Sequence, residues 1–412
     1  MTSTSDDLAN IYRDLHRHPE LGFAEHRTAG IVAERLTQFG FEVTTGVGGT
    51  GVVGILRNGA GPTALLRADM DGLPVSEATG LPYASTDVAA GESGDIPVMH
   101  ACGHDMHVTA LLGAAERLAG DTGPWAGTLM LVFQPAEELG AGAQAMLDDG
   151  LFERFGHPDV VLGQHVAPIP AGVIGLRSGP AFAAADVLRI VLHGRGAHGS
   201  RPEVSIDPVV MAAATVMRLQ TVVSREVGGS ETAVVTVGMM RAGTAANIIP
   251  DHAELLITVR TFTVDVRDRV VEAIGRIARA EAAASDAPKP PDVELTSSFP
   301  AVSNDQAAVD RTRPALQGIA TMVVDPGPVT GSEDVGLLAI AAGVPCVYWL
   351  LGGADPAVFE GAADFEEIAL RTAALPSNHS PLFAPVIEPT LTIGVNALVA
   401  AAHTWLPSAE SQ

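Results

Sequence analysis

The sequence predicts an α/β protein with a mostly parallel central sheet and a smaller inserted domain. Near-continuous apolar runs occupy residues 62–68, 128–133 and 158–165. Such runs are typical of central strands that are covered on both faces. Residues 181–298 instead show the order strand–helix–strand–strand–helix–strand, which is typical of ferredoxin-like domains. The remaining 299–412 resume the first pattern, so an insertion into one larger domain (1–180 and 299–412) is predicted.

The individual elements follow from hydrophobic periodicity and from Gly and Pro breaks. Before the insertion we predict amphipathic helices at 6–18 and 25–39, strands at 41–45, 51–57, 62–68, 128–133 and 158–165, and a helix at 141–149. Residues 76–98 show no hydrophobic periodicity, which indicates a loop. Within the insertion we predict strands at 185–193, 232–240, 253–261 and 292–298 and helices at 206–223 and 264–284. The last part predicts a helix ending at 342, a buried strand after 345 and a final helix from about 389.

Composition limits the class of protein. The chain has 412 residues, of which 47% are hydrophobic, so it is long enough for two packed cores. The formal net charge of −24 disfavours nucleic-acid and anionic-membrane binding, which need a basic surface. Residues 335–354 carry no charge, but Gly343 and Pro345 interrupt them, so we expect a helix and a strand rather than a membrane span. A cytoplasmic protein is expected.

One short segment concentrates metal-binding side chains. His100, Cys102, His104 and His107 fall within eight residues, immediately before and inside a predicted helix. Thiolate and imidazole are ligands suited to zinc and similar divalent ions. A single His or Cys is usually a packing or surface residue, but four at one loop-to-helix junction favour a metal site.

Three predicted central strands end in side chains of the same chemical kind. The first ends in Asp69 and is followed by Asp71, the second is followed by Glu137 and Glu138, and the third ends in His165. Open α/β sheets place their sites at the carboxyl ends of strands. We therefore interpret the Glu pair as a metal ligand and a general base, and favour a functional role for Asp69. For Asp71, a turn cap and a functional role are equally compatible with the sequence.

Further candidates lie outside these strands. The Gly-rich loop HGRGAHGSRP carries His198, which we favour as functional over a solvated turn residue. Asn247 is compatible with a substrate hydrogen bond or a turn, and Arg260 with a substrate carboxylate or a structural acid. His379, in the polar loop SNHSP, is a candidate only as a fifth ligand of the site already inferred.

Eight segments together resemble the signatures of the dinuclear-metal amidohydrolases, within the aminoacylase and carboxypeptidase family: LLRADMDGLP, HACGHDMH, FQPAEELGAGA, GQHV, HGRGAHGSRP, NIIPD, GSED and SNHSP. The resemblance is closest to the branch of hippurate hydrolase and the indoleacetyl-amino-acid hydrolases. It implies a zinc-peptidase-like catalytic domain with an inserted lid domain, often used for dimerisation. A homodimer or higher homo-oligomer is therefore expected.

The resemblance also implies roles for individual residues. Cys102 corresponds to a ligand that bridges two metal ions. Glu138 and His379 would complete the coordination of one ion, and His104 and His165 would complete that of the other. Glu137 corresponds to the general base.

Other roles implied by the resemblance lie at the edge of the site. His198 is similar to a lid histidine that helps to bind substrate and stabilise the oxyanion, in the same chain or across a dimer. Asn247 and Arg260 are similar to lid residues near the substrate carboxylate. Distant relatives have His-x-Asp where this chain has Arg67-Ala68-Asp69. Since Arg cannot bind a metal ion, His104 is expected to take over, with Asp69 holding an imidazole in place.

The implied activity is metal-dependent hydrolysis of the amide bond of small N-acyl amino acids of the acetyl, benzoyl or indoleacetyl type. Two divalent ions are implied, and zinc, manganese, cobalt and nickel all suit these ligands. Three alternatives remain. They are a dipeptidase, carboxypeptidase or N-acetyl-diaminopimelate deacetylase on the same scaffold, a cysteine hydrolase with Cys102 as nucleophile, and a non-catalytic metal-binding protein.

Overall fold

Two compact units make up the chain. The computed structural model describes residues 5–91, 94–362 and 365–407. The first unit comprises Met1–Ala181, Ser303–Gly327 and Asp334–Gln412, and the second comprises Phe182–Val302 and Pro328–Glu333. The second unit is therefore an insertion into the first. It runs past the expected end at 298 and includes a short returning segment that has no periodic pattern.

The first unit begins with two helices, which are followed by five strands and then by a mixture of helices and strands. Before the insertion the elements are α1 (Ser5–Arg17), α2 (His26–Gln38), β1 (Glu42–Val47), β2 (Gly51–Asn58), β3 (Thr63–Asp69), β4 (Val88–Gly91), β5 (Gly94–Pro97), α3 (His104–Gly120), β6 (Gly127–Gln134), α4 (Gly142–Asp148), α5 (Leu151–Phe155), β7 (Val160–Pro170), β8 (Val173–Gly175) and β9 (Gly179–Phe182). The region 76–98 was predicted to be a loop, and this was incomplete, because β4 and β5 pair as a short antiparallel hairpin.

The second unit has the predicted order of strands and helices. Its elements are β10 (Ala184–His193), β11 (Ala197–His198), α6 (Pro208–Glu226), β12 (Ala233–Ala242), β13 (Ile248–Ile249), β14 (His252–Thr261), α7 (Val264–Ala284) and β15 (Asp292–Phe299). The four long strands pair antiparallel in the order β12-β14-β10-β15, which is the ferredoxin-like arrangement. Alternate residues of β10 point to a core shared with α6 and α7. The predicted ferredoxin-like insertion is confirmed.

The chain then returns to the first unit. The remaining elements are β16 (Val302–Asn304), α8 (Gln306–Gln317), β17 (Met322–Val324), α9 (Val335–Ala342), β18 (Cys346–Ala354), α10 (Phe365–Ala373) and α11 (Thr390–Trp405). The uncharged run after residue 334 is a helix and a strand separated by Gly343, as predicted. Within the described ranges, no helix combines the length and apolarity needed to cross a bilayer.

An eight-stranded sheet forms the centre of the first unit. Its strand order is β1-β2-β6-β3-β7-β18-β8-β17. The central strand β3 runs parallel to both of its neighbours, β6 and β7, and β18 runs parallel to β7. Helices α1, α3 and α11 contribute side chains to the core that covers the sheet. The predicted α/β fold with a mostly parallel sheet is confirmed.

The sheet register gathers the polar strand ends. Asp69, the last residue of β3, is opposite Gln134, the last residue of β6. On the other side of β3, Arg67 is opposite Gly163, two residues before His165. Parallel strands bring their carboxyl ends to one edge, so the segments after β3 and β6 and the His of β7 meet there.

Candidate metal centre

A tight turn positions the Cys-His motif at the beginning of α3. Gly103 precedes the helix with a φ of 82°, a left-handed conformation that favours glycine. A Cβ at this position would lie 2.3 Å from Val166 Cγ1, so the close approach of β7 also requires glycine. The turn places Cys102 and His104 on either side of this glycine, facing the ends of the central strands.

The five residues predicted as metal ligands come together in two groups that share Cys102. One group contains Cys102, His104 and His165, and the other contains Cys102, Glu138 and His379. Within each group, one donor atom per residue lies within 4.8 Å of the others. Cys102 Sγ is 3.4 Å from His165 Nε2, and His379 Nε2 is 3.2 Å from Glu138 Oε1. The Cys102 thiol is therefore common to both candidate groups.

Two buried atoms show that these groups fit divalent ions. Among the residues described, His104 Nε2 is buried without a hydrogen-bond partner, and buried Glu138 Oε1 makes no hydrogen bond beyond its 3.2 Å ion pair with His379 Nε2. Leaving such atoms unsatisfied is costly, typically about 1–3 kcal/mol each. Both atoms face the centre of a donor set of thiol, imidazole and carboxylate, which is suited to zinc-like ions. Bound cations would satisfy both atoms at once.

Burial and neighbouring charges shift the pKa values of these groups. Burial raises the pKa of the Cys102 thiol and lowers the pKa of His165 to about 3, so that this imidazole is neutral. Close contacts with the Cys102 thiol and the Glu138 carboxylate raise the pKa of His379 to about 10. A bound cation favours thiolate and neutral imidazole, so metal binding would release protons from this cluster.

Glu137 lies beside both groups on the turn after β6. Its Oε2 is 3.9 Å from His104 Nε2, and His104, Glu137 and Glu138 form a further group of converging donor atoms. The turn is closed by a hydrogen bond from the Gly140 N–H to the Glu137 carbonyl, 2.7 Å long. Both carboxylates therefore lie close to the candidate ligands, and Glu137 belongs to neither of the two groups that contain Cys102.

Asp71 contacts one ligand from each group. Its Oδ1 lies 3.2 Å from His104 Nδ1, and its Oδ2 accepts a hydrogen bond of 2.9 Å from the backbone N–H of Glu138. An Nδ1–H that donates to this carboxylate leaves His104 Nε2 available as a ligand. Of the two roles that the sequence left open for Asp71, the geometry favours the functional one.

Asp69 holds a different imidazole. Its Oδ1 is 2.5 Å from His107 Nδ1, while its Oδ2 accepts a hydrogen bond of 2.6 Å from Arg67. The Val166 N–H donates to His107 Nε2 at 2.8 Å, so His107 carries its proton on Nδ1 and donates to Asp69. Both nitrogens of His107 are thus engaged, which removes it as a ligand candidate and leaves it to support the strand next to His165.

Asn378 is a functional candidate that the sequence analysis did not identify. Its side-chain amide donates to the carbonyl of Val166 at 3.1 Å and to the carbonyl of Cys102 at 3.2 Å. The neighbouring His379 has a φ of 70°, and its N–H donates to Ala101 at 2.8 Å. These bonds fix the loop that carries the candidate ligand His379. The only available signal was the position of Asn378 beside a candidate His.

The three remaining candidates lie in the second unit. His198 is exposed in the short strand β11, with Nδ1 2.7 Å from Ser200 Oγ. Gly199 donates to the carbonyl of Asn247 at 2.8 Å, so the two candidate segments are adjacent. Arg260 donates to the Thr330 carbonyl at 3.1 Å and to Ser332 Oγ at 2.7 Å. The roles predicted for His198, Asn247 and Arg260 remain predictions.

The fold and the site together define the class of metal-dependent amidohydrolases. The model of peptidase family M20/M25/M40 matches residues 65–373, and the chain belongs to this family. The predicted resemblance to dinuclear-metal amidohydrolases is thereby confirmed.

Individual relatives agree with this assignment. Hippurate hydrolase of Campylobacter jejuni is 40% identical over 337 residues, covering 80% of this chain and 84% of the relative. N-acetyl-L-cysteine deacetylase of Bacillus subtilis is 37% identical over 336 residues, covering 81% and 78%. A solved dinuclear metal-binding peptidase of the M20 family from Bacillus subtilis matches with a TM-score of 0.78 and 30% identity over 98% of both chains.

Proposed function

We propose that this protein hydrolyses the amide bond of N-acyl amino acids, releasing a carboxylic acid and an amino acid. The observation that carries the proposal is the pair of donor groups that share Cys102, with the Glu137 carboxylate beside them. The similarity to a hippurate hydrolase and an N-acetyl-L-cysteine deacetylase supports the substrate class. The ions are proposed to be zinc, manganese, cobalt or nickel, held by Cys102 together with His104 and His165 on one side and Glu138 and His379 on the other.

The proposed mechanism assigns the proton transfers to Glu137. Two divalent ions, when bound, supply Lewis-acid chemistry that acidifies water and polarises the amide carbonyl. Glu137 accepts the proton of the attacking water at a carboxylate oxygen and later donates it to the nitrogen of the leaving amine. His198 is proposed to stabilise the oxyanion by hydrogen bonding, and Asn247 and Arg260 to bind the substrate carboxylate.

The proposed enzyme is a cytoplasmic homodimer or higher homo-oligomer that associates through the second unit. Helix α6 exposes Val210 and Met217, whose side chains are 64% and 72% accessible. The edge strand β12 also exposes Val234 and Met240. Exposed apolar side chains grouped on one helix and one sheet edge favour association between proteins.

The cysteine-hydrolase alternative is disfavoured by the environment of Cys102. A nucleophilic cysteine needs a lowered thiol pKa, whereas burial and the Glu138 carboxylate raise the pKa of Cys102. A dipeptidase or deacetylase on the same scaffold differs only in substrate, so assays must separate it from the proposed activity.

The decisive experiment is a hydrolysis screen after chelation, with each of the four metals added back. The substrates are N-acetyl, N-benzoyl and indoleacetyl amino acids, with free dipeptides and N-acetyl-diaminopimelate for comparison. Glu137→Gln should keep its bound metal and lose about 10²–10⁴-fold in kcat, the usual range for general acid–base catalysis. Glu153→Gln, at an exposed position on α5, is the matched control and should keep wild-type kcat. A metal-loaded Glu137→Gln protein with wild-type kcat would refute the assignment.

A further inference from the structure

The residue immediately before the proposed general base has an unusual backbone conformation. Ala136 has a φ of 48°, in the left-handed region that non-glycine residues rarely adopt. It is fully buried and directly follows Pro135, at the end of β6. Such a strained conformation persists only where surrounding contacts hold it. The direction of the Glu137 side chain depends on the conformation of the backbone before it, so contacts that hold Ala136 also orient Glu137.

A buried carboxylate from a distant segment contacts this turn. Glu25 Oε1 accepts a hydrogen bond of 2.7 Å from the Ala136 N–H, and Thr50 Oγ1 donates to Glu25 Oε2. The Glu25 side chain is fully buried. Glu25 is the N-cap residue of α2, but its side chain makes no hydrogen bond to that helix, in contrast to the usual capping role. Its carboxylate is therefore directed at the turn after β6.

Packing contacts around the turn also hold Ala136 in place. A Cβ added to Gly22 would lie 3.1 Å from Ala136 Cα, so the chain around residue 22 lies directly against Ala136. On the far side of Glu137, the N–H of Glu138 donates to Asp71. The backbone amides immediately before and after Glu137 are thus each bound by a buried carboxylate.

We propose that Glu25 is a positioning residue that keeps Ala136 in its left-handed conformation and thereby aims Glu137 at the reacting water. This inference rests on the proposed function, in which Glu137 is the general base. Glu25 does not contact the ligand groups, so its loss changes the geometry of the base and not the capacity to bind metal. A misplacement of about 1 Å from a remote change can cost about 10²-fold in rate.

The first test is the effect of Glu25 variants on steady-state kinetics. Glu25→Met, which fills similar space without an acceptor, should lower kcat by about 10²-fold, with KM changed less than about threefold and full metal content. Glu25→Gln keeps an acceptor oxygen for the Ala136 N–H and should stay within about tenfold of wild-type kcat. Glu20→Ala is the matched control, because Glu20 accepts from the backbone amides of Arg27 and Thr28 and not from the turn. It should keep wild-type kcat.

The second test removes the backbone strain at Ala136. Glycine adopts a left-handed conformation without the Cβ penalty, so the double variant Glu25→Met with Ala136→Gly should have a kcat about tenfold higher than Glu25→Met alone. Alone it should leave kcat within about threefold of wild type. Equal losses in Glu25→Met with and without Ala136→Gly would overturn the inference, as would a Glu25→Met enzyme with wild-type kcat.

Hydrogen exchange of the Ala136 amide gives a readout that does not depend on activity. Exchange in Glu25→Met should be at least about tenfold faster than in wild type, because the amide loses its acceptor. Unchanged exchange would overturn the inference even if the wild-type protein hydrolyses none of the substrates. If Glu25→Met does not fold, Glu25→Ala provides the same comparison, because it also removes the acceptor of the Ala136 N–H, and unchanged exchange in that variant overturns the inference. Absence of wild-type hydrolysis with accelerated exchange would refute the proposed function and retain the role of Glu25 in holding the turn.

Discussion

Replacing Asp71 should weaken metal binding at two ions, because this one carboxylate supports a ligand in each donor group. Asp71 Oδ1 lies 3.2 Å from His104 Nδ1, and Oδ2 accepts from the Glu138 N–H at 2.9 Å. Loss of such an outer contact typically costs 10–100-fold in metal affinity, or about 1.4–2.7 kcal/mol. Asn at this position has one acceptor oxygen and one donor amide, so it can satisfy only one of the two contacts. Asp71→Asn should therefore lower the affinity for one ion by about 10–100-fold, and Asp71→Ala should lower the affinity for both ions.

The assay is a titration of chelator-treated protein with Zn²⁺ in competition with a chromophoric chelator, which resolves two dissociation constants. Asp87→Asn is the matched control, because Asp87 also binds a His Nδ1, that of His18, at 2.8 Å but touches no ligand. It should leave both constants within about twofold of wild type. An Asp71→Asn protein that binds two ions with unchanged constants would show that Asp71 does not orient these ligands.

Two further predictions concern metal content and pH. Cys102→Ser should lose both ions together in elemental analysis, whereas His379→Ala should retain one, because only Cys102 belongs to both groups; one full-occupancy ion in Cys102→Ser would contradict this. Although burial opposes its charge, the Asp105 and Glu77 carboxylates raise the pKa of His16 from 6.5 to about 9. The resulting stabilisation, on the order of 3 kcal/mol, is complete below pH 6.5 and is lost as the pH rises through 9. Urea unfolding at pH 6.5 and 9.5 should show this loss in wild type and not in His16→Gln; parallel pH dependences in the two proteins would count against it.

The overall architecture and the candidate ligand residues could be predicted because each depends on a pattern carried by the local sequence. Apolar runs mark central strands, and the parallel arrangement then brings their polar ends together. The chemistry of metal ligands restricts the candidates to a few residue types, so Cys102, the Glu137–Glu138 pair and His165 could be proposed from the sequence, whereas the choice of Glu138 as the ligand was implied by the resemblance.

The supporting contacts could not be predicted, because they depend on the three-dimensional arrangement of distant segments. His104 and His107 lie one turn apart on α3, and only the N–H of Val166 determines that the second is not a ligand. Asp69 and Asp71 are similar in sequence context, but β3 ends at the first and the chain turns before the second. Glu25 reaches Ala136 across 111 positions of the chain. No local pattern marks such a contact.

The insertion determines the order in which the metal centre can be completed during synthesis. Strand β18 is made after the inserted unit, yet it lies in the sheet between β7 and β8, which precede that unit. About 200 residues separate His165 from His379, so at about 5–20 residues per second the last ligand follows by roughly 10–40 s. The nascent chain therefore carries Cys102 before His379 is made, so the proposed second ion can meet its full set of ligands only after translation has passed His379.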